Sequence, residues 1–185
     1  LLGAAGMHWF HACCGEWFEA TANTIHFRPA VRQDYDELLA TVRAAAGDGV
    51  IHIAHLRAFT ETSDAGPSGY DYYQDLLLLA QAMGRQPAET RFEVTVVTNY
   101  QHLVRAGDRL CPDKAVLLGP ALVIPLEYAN VRCRCVDFAG GSLSWSELLP
   151  ELTRAPVGEA VVAYRDGRRY VRRFSAQRVH PQRKP

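Results

Sequence analysis

Val50-Ile51-His52-Ile53-Ala54-His55-Leu56 runs directly into Arg57-Ala58-Phe59-Thr60-Glu61-Thr62. The first seven residues are short, apolar and β-branched, the pattern of a strand buried on both faces. His52 and His55 stand three apart, so on a strand they face opposite sides and cannot chelate jointly; one of them is expected as a hydrogen-bonded core histidine. The turn that follows decides what the strand can serve. A dinucleotide site places glycines there, so that backbone amides reach the pyrophosphate. Here no glycine comes before Gly66, and the side chains of the turn would occupy the phosphate position. No GxGxxG or Walker A pattern occurs anywhere in the chain.

Working outward, the sequence alternates between strand and helix signals. Upstream, residues 24–27 read as a short edge strand closed by Pro29. A helix starts at Asp34, with Tyr35, Leu38, Leu39 and Val42 on one face, and ends at Gly47 and Gly49. Downstream, residues 60–69 are rich in Gly, Pro, Ser and Asp and read as a surface loop. Residues 70–83 form a second helix capped by Gly84, whose run 76–80 is apolar nearly all round and is expected inside, with Leu77 as a core position. Residues 92–98 make a second buried strand. Asp113 is expected to cap a helix over 114–127, kinked or stopped by Pro125. Residues 131–138 alternate Val131, Cys133 and Cys135 against Arg132 and Arg134, a third strand. Ser144 and Glu147 have capping-box spacing and are expected to open a short helix. Residues 160–164 and 170–174 flank Asp166-Gly167, a strong hairpin signal. The order predicts an α/β domain: a parallel sheet with helices on both faces, followed by a C-terminal β-hairpin.

Composition sets the class. The chain has 185 residues, 48% hydrophobic and 22% charged, which suits one folded domain and excludes disorder. No apolar run approaches the length of a membrane span. Twenty basic residues balance twenty acidic ones, so no global charge points to nucleic acid. From Arg165 to Pro185, however, eight basic residues face the single acid Asp166. With few aromatics to stack on bases, this reads as a solvated edge hairpin or a basic surface for an acidic neighbour, with a nucleic-acid arm as the alternative. Five cysteines without a secretory leader read as reduced thiols, hence a cytoplasmic protein. The first residue is Leu1, not Met, which reads as a segment cut from a longer chain.

Candidate chemistry is sparse. A Tyr-x-x-x-Lys pair, in which Lys lowers the phenol pKa, serves short-chain reductases. The two lysines, Lys114 and Lys184, have Leu110 and His180 four residues earlier, so the pair is absent. His8, His11, Cys13 and Cys14 could meet Cys133 and Cys135 around zinc, but Cys-x-Cys on a strand suits a core better than the usual zinc spacing. No Gly-x-Ser-x-Gly elbow exists. A self-sufficient small α/β enzyme would have to use Cys133, His52 or Asp137. No residue is assigned a catalytic, cofactor-binding or metal-binding role.

Ile51–Leu56, then residues 72–84 and 94–98, then Pro112-Asp-Lys-Ala-Val-Leu-Leu-Gly-Pro120, Val123-Ile-Pro-Leu-Glu-Tyr128 and Cys133-Arg-Cys-Val-Asp-Phe138, resemble the structural subdomain of a modular polyketide synthase ketoreductase. Residues 162–174 resemble the segment joining that subdomain to the catalytic one, and Phe27-Arg-Pro29 with Asp34-Tyr35 resemble its opening. The resemblance covers residues 16–178. Arg57 stands where family members commonly carry Trp. It leaves residues 1–15 as a linker or the end of a preceding domain, and 179–185 as a basic tail leading to the catalytic part. It implies a truncated Rossmann-like half that binds no cofactor and supports a second half, which binds NADPH and holds the Ser, Tyr and Lys/Asn catalysts. That half, or an inserted enoylreductase or methyltransferase, would begin after Pro185. The implied partners are the catalytic subdomain and neighbouring domains of a homodimeric megasynthase, with no nucleic acid and no membrane.

Overall fold

The computed structural model describes residues 8–61, 67–153 and 158–176. Residues 1–7 of the expected linker, 62–66 of the expected loop and the expected basic tail over 179–185 lie outside the described residues.

Among the described residues, eight strands, four α-helices and one 3-10 segment follow in the order β1 (His11–Cys14), β2 (Glu19–Ala20), β3 (Thr24–Phe27), α1 (Arg32–Ala46), β4 (Ile51–His55), α2 (Gly69–Gly84), β5 (Phe92–Asn99), the 3-10 segment (Pro112–Leu117), α3 (Leu118–Glu127), β6 (Val131–Phe138), α4 (Trp145–Thr153), β7 (Val161–Arg165) and β8 (Arg168–Val171). The main sheet has the order β4-β5-β6-β7-β8. Its first four strands are parallel and β8 is antiparallel to β7. This is the expected Rossmann-like sheet. The hairpin turn holds Asp166 at φ 50° and Gly167 at φ 70°, the two positive values of a type I′ turn, whose twist follows that of the strands.

Helices cover both faces. Leu39, Leu76, Met83, Leu117 and Ile124 join Val94, Val96 and Cys135 in one core on the side of α1, α2 and α3. Leu148 of α4 joins Val97, Val136, Phe138 and Val162 in a second core on the opposite side. The division follows from strand alternation: Val96 and Cys135 point one way, Val97 and Val136 the other.

Several local expectations change. Residues 24–27 are not an edge strand, since β3 lies between β1, to which it is parallel, and β2, to which it is antiparallel. The strand His11–Cys14 ties the segment before Gly15 to β3 by backbone hydrogen bonds. Asp113 caps nothing: a 3-10 turn with Cys111 at its cap precedes α3. Pro125 lies inside α3, which stops two residues later at Glu127. The helix expected to open at Ser144 is α4, whose first turn donates from Glu147 N–H and Leu148 N–H to Ser144 O, while Ser144 Oγ lies 2.9 Å from Ser146 Oγ; a capping box not anticipated from sequence joins Ser68 and Asp71 at the start of α2. Gly84 is the last helical residue, and Arg85 is the cap. Its reason is space, because a Cβ there would stand 2.2 Å from the Tyr128 ring. No helix among the described residues is long and apolar enough to cross a membrane.

Leu77 is only half-buried, whereas Leu76 is fully buried. Truncating Leu76 to alanine should therefore cost about 2–5 kcal/mol, for lost transfer energy and the cavity left behind. Leu77→Ala should cost about 1 kcal/mol. Urea unfolding of the two variants measures the difference; equal losses would mean that α2 is rotated from this seat.

Candidate functional site

A parallel α/β sheet presents its ligand-binding crevice at the carboxyl ends of the strands, where the strand order reverses. Here the order runs monotonically from β4 to β8. The same edge is closed by side chains of the chain itself. The backbone after β4 turns tightly, with Phe59 N–H donating to Leu56 O at 2.9 Å. Ala58 is fully buried. Phe59 meets the Phe138 ring edge-on at 6.1 Å, and Phe138 stacks on Tyr164 at 5.4 Å. The side chains of this turn thus pack into the carboxyl end of the sheet.

Lys114 fills the next position. The 3-10 segment directs its ammonium inward, where Nζ donates to Thr60 O at 2.8 Å and to Asn99 Oδ1. The Tyr100 ring lies 5.5 Å from Nζ. Burial pushes the Lys114 pKa down, and the Cys111 thiol and the Asp137 and Glu61 carboxylates offset this only in part. Tyr100 itself has φ 62°, a left-handed conformation that a bulky residue adopts at a cost. That bend turns the chain back over the strand ends, fixed by Tyr100 N–H to Phe138 O at 3.2 Å and Cys111 N–H to Tyr100 O at 2.8 Å.

Arg165, at the end of β7, is the hub of the remaining edge. Its side chain is 1% exposed and pairs with Asp137 at 2.7 Å and Asp108 at 2.9 Å. It also donates to the carbonyls of His102 at 2.7 Å and Tyr164 at 2.8 Å. Asp137 accepts in addition from Thr98 Oγ1 at 3.0 Å and from the backbone N–H groups of Gln101 at 2.9 Å and His102 at 3.2 Å. The network therefore stitches the loop after β5 to β6 and the hairpin. Burial pushes the Asp108 carboxyl up, but the Arg165 guanidinium and the Val104 and Arg105 amides hold it below its usual range.

Two further buried clusters tie helices to the sheet. His55 Nε2 of β4 meets Asp75 Oδ2 of α2 at 2.7 Å, and Tyr35 of α1 donates its hydroxyl to Asp75 Oδ1. His55 is thus the core histidine, and His52 lies half-exposed 3.8 Å from Glu93. On the other face, Glu151 of α4 receives Arg134, Arg169 and the Tyr164 hydroxyl. Burial and Glu151 together push the Tyr164 phenol up to about 12.

The residues offered by sequence for a self-sufficient enzyme are not brought together. His52 sits at the amino end of β4 and opposes Glu93, whereas Cys133 opposes Val94 two strands away. Asp137, at the far end of β6, is spent on Arg165 and the loop. Burial pushes the Cys133 thiol up to about 12, so it is not a thiolate at neutral pH. The possible zinc set is also dispersed. Cys13 Sγ lies 3.4 Å from His26 Nδ1, Cys14 Sγ accepts from Arg57 at 2.8 Å, and Cys133 and Cys135 are buried in the main sheet. Among the described residues no three His, Cys, Asp or Glu side chains are placed to hold a metal ion. Arg165 and Arg169, counted by sequence as part of an exposed basic segment, are instead engaged in ion pairs; Arg168, Arg172 and Arg173 remain exposed. Two cavities, of about 300 Å³ and 160 Å³, open at the amino ends of β5 and β6, away from the carboxyl edge.

No family model and no curated protein matches the chain. Solved structures do. A multidomain structure comprising adenylation, ketoreductase and pseudo-Asub parts of a keto acid-selecting NRPS module matches with TM-score 0.74 and 24% identity, over 88% of this chain and 14% of that one. An A-type ketoreductase from a modular polyketide synthase matches with TM-score 0.61 and 24% identity, over 86% of this chain and 34% of that one. The fold is that of these ketoreductases. A short-chain dehydrogenase/reductase oxidoreductase from Brucella ovis, in complex with a partially ordered NAD, matches with TM-score 0.60 and 14% identity over 89% of this chain and 91% of that one. The chain spans about a third of the A-type ketoreductase and a seventh of the NRPS module. The ketoreductase-like skeleton is thus combined, in this chain, with a carboxyl edge closed by its own residues.

Proposed function

We propose that residues 16–178 are the structural half of an assembly-line ketoreductase. In this reading the chain reduces nothing itself. It packs against and positions a separate NADPH-dependent half that reduces a β-ketoacyl group, inside a homodimeric, cytoplasmic polyketide synthase or a related NRPS module. The observation that carries it is the closed carboxyl edge: Phe59, Lys114 and the Arg165–Asp137 pair crowd the end of the sheet at which parallel α/β folds bind dinucleotides. The fold shared with ketoreductases, together with the absence of a Tyr-x-x-x-Lys pair from the sequence, supports the same reading.

The contribution of such a half is rigidity. A catalytic group misplaced by an ångström can lose a hundredfold in rate, so a scaffold acts on rate through positioning. Fluorescence titration of this chain with NADPH is expected to show no saturable binding. Saturation at micromolar NADPH would overturn the reading, because the buried edge would have to open to admit the cofactor.

A further inference from the structure

We propose that Cys13 is a site of covalent modification, a thiol that exchanges with small-molecule disulfides using His26 as its base. The small sheet builds the site. β3 lies between β1 and β2, and His26 has Cys13 opposite it on one side and Glu19 on the other. Residues directly opposite one another share a face of the sheet. Cys13, His26 and Glu19 therefore form one row across three strands: a thiol, an imidazole and a carboxylate.

The first two are in contact. Cys13 Sγ lies 3.4 Å from His26 Nδ1. With the ring proton on Nε2, Nδ1 accepts from the thiol, the arrangement of a nucleophile with its base. Glu19 is exposed, so its carboxylate can turn onto the imidazolium that proton transfer creates. Gly15 gives His26 its room, since a Cβ there would stand 2.9 Å from His26 Cβ.

The other cysteines are placed differently. Cys14 is exposed, but successive strand residues face opposite sides, and its Sγ accepts from Arg57 at 2.8 Å. Cys133 and Cys135 are buried, and burial pushes both thiols up. Cys111 is half-buried, as Cys13 is. Among the described residues, Cys13 is the thiol within hydrogen-bond reach of an imidazole.

In the exchange, His26 takes the thiol proton and the Cys13 sulfur attacks one sulfur of the disulfide. A bond from Cys13 to that sulfur forms as the original S–S bond breaks, and the departing thiolate takes the proton from His26. Cys13 is oxidised to a mixed disulfide, and half of the reagent is reduced to a thiol. Cys14 is not placed to displace the adduct, because its side chain leaves the other face of the strand. The adduct therefore persists until an external thiol removes it.

Labelling of this chain with dithiodipyridine tests the proposal, since an uncharged disulfide gains nothing from the Arg57 charge. Peptide mass analysis follows each cysteine separately. At about pH 7, where an ordinary thiol is mostly protonated, Cys13 should react at least about tenfold faster than Cys14 and Cys111. His26→Gln should remove that advantage at about pH 7, leave Cys14 unchanged, and approach the parent rate near about pH 10, where a thiol ionises unaided. Glu19→Gln should slow Cys13 by a smaller factor at about pH 7; an unchanged rate overturns the part given to Glu19. Cys14 or Cys111 reacting first overturns the site. A His26→Gln variant that alters Cys14 as well, or slows Cys13 by the same factor at every pH, overturns the base. Oxidised glutathione should then add once, at Cys13, and dithiothreitol should remove it; addition elsewhere, or none, overturns the assignment to small-molecule disulfides.

Discussion

Arg165→Ala is expected to destabilise the chain by about 3–5 kcal/mol, the cost of removing one partner from a buried ion pair. The guanidinium is 1% exposed and its partner Asp137 is fully buried, so no water replaces it. Asp137 would keep the Thr98 hydroxyl and two backbone amides, which bounds the loss. The His102 and Tyr164 carbonyls would each lose a donor. Because the loop after β5 is held to β7 through this residue, the loss should also speed hydrogen exchange across residues 99–108. Guanidinium unfolding measures the stability. The double variant Arg165→Met/Asp137→Asn separates pairing from packing: it should recover part of the deficit, since neither partner is then a stranded charge. An Arg165→Ala variant within about 0.5 kcal/mol of the parent would show that the pair contributes nothing measurable, as for an exposed one.

Much of the fold was legible from residue order. Parallel strands buried on both faces announce themselves as unbroken apolar runs, so residues 92–98 and 131–138 could be placed almost to the residue. Asp166-Gly167 pointed to the hairpin, because Asp-Gly suits the type I′ turn, whose two positive φ values match the twist of the strands. The errors concern groups whose position depends on distant partners. Leu76 and Leu77 are equally apolar, and only the seat of α2 on the sheet decides which is buried. Gly84 reads as a helix cap from sequence, whereas its hydrogen atom makes room for Tyr128, more than 40 residues further along the chain. Asp113 has the chemistry of a cap, but tertiary packing draws the chain into a 3-10 turn that seats Lys114 inward.

The site was legible mainly as a negative. A turn without glycine was expected to leave no room for a phosphate; the structure shows Phe59 packed on Phe138 and Lys114 donating to Thr60 O at that end of the sheet. What sequence did not reveal is that the blocking side chains form a charged network. Arg165 sits at the head of a basic stretch and looks like the others by composition. Its one distinguishing signal is that it closes the apolar run 161–164 immediately before the turn, which places it at a buried strand end. Asp137, one of the three residues offered for a self-sufficient enzyme, has the same kind of position and pairs with Arg165. Charged residues at the carboxyl ends of parallel strands are ambiguous in sequence, since the same address serves catalysis and closure.

Asp75→Ala should cost a similar amount, about 3–5 kcal/mol at neutral pH, and here the pH dependence supplies the sharper test. Burial pushes the Asp75 carboxyl up, but hydrogen bonds from His55 and Tyr35 and the positive charge of Arg57 hold it below its usual range. In the unfolded chain an aspartate titrates near about 4. A folded pKa below that value means the unfolded state takes up the proton first. The stabilisation is therefore complete above about pH 4 and is lost as pH falls toward the folded pKa. The alanine variant has none of this to lose. Asp34, Asp108 and Glu151 are depressed in the same direction, so both proteins weaken in acid, and the difference between them isolates Asp75. That difference should shrink as pH drops below about 4; a gap that stays constant would mean that Asp75 is not charged in the fold. Because Asp75 joins α2 to both α1 and β4, and α2 packs beside the 3-10 segment and α3, loosening it should also speed hydrogen exchange across α3.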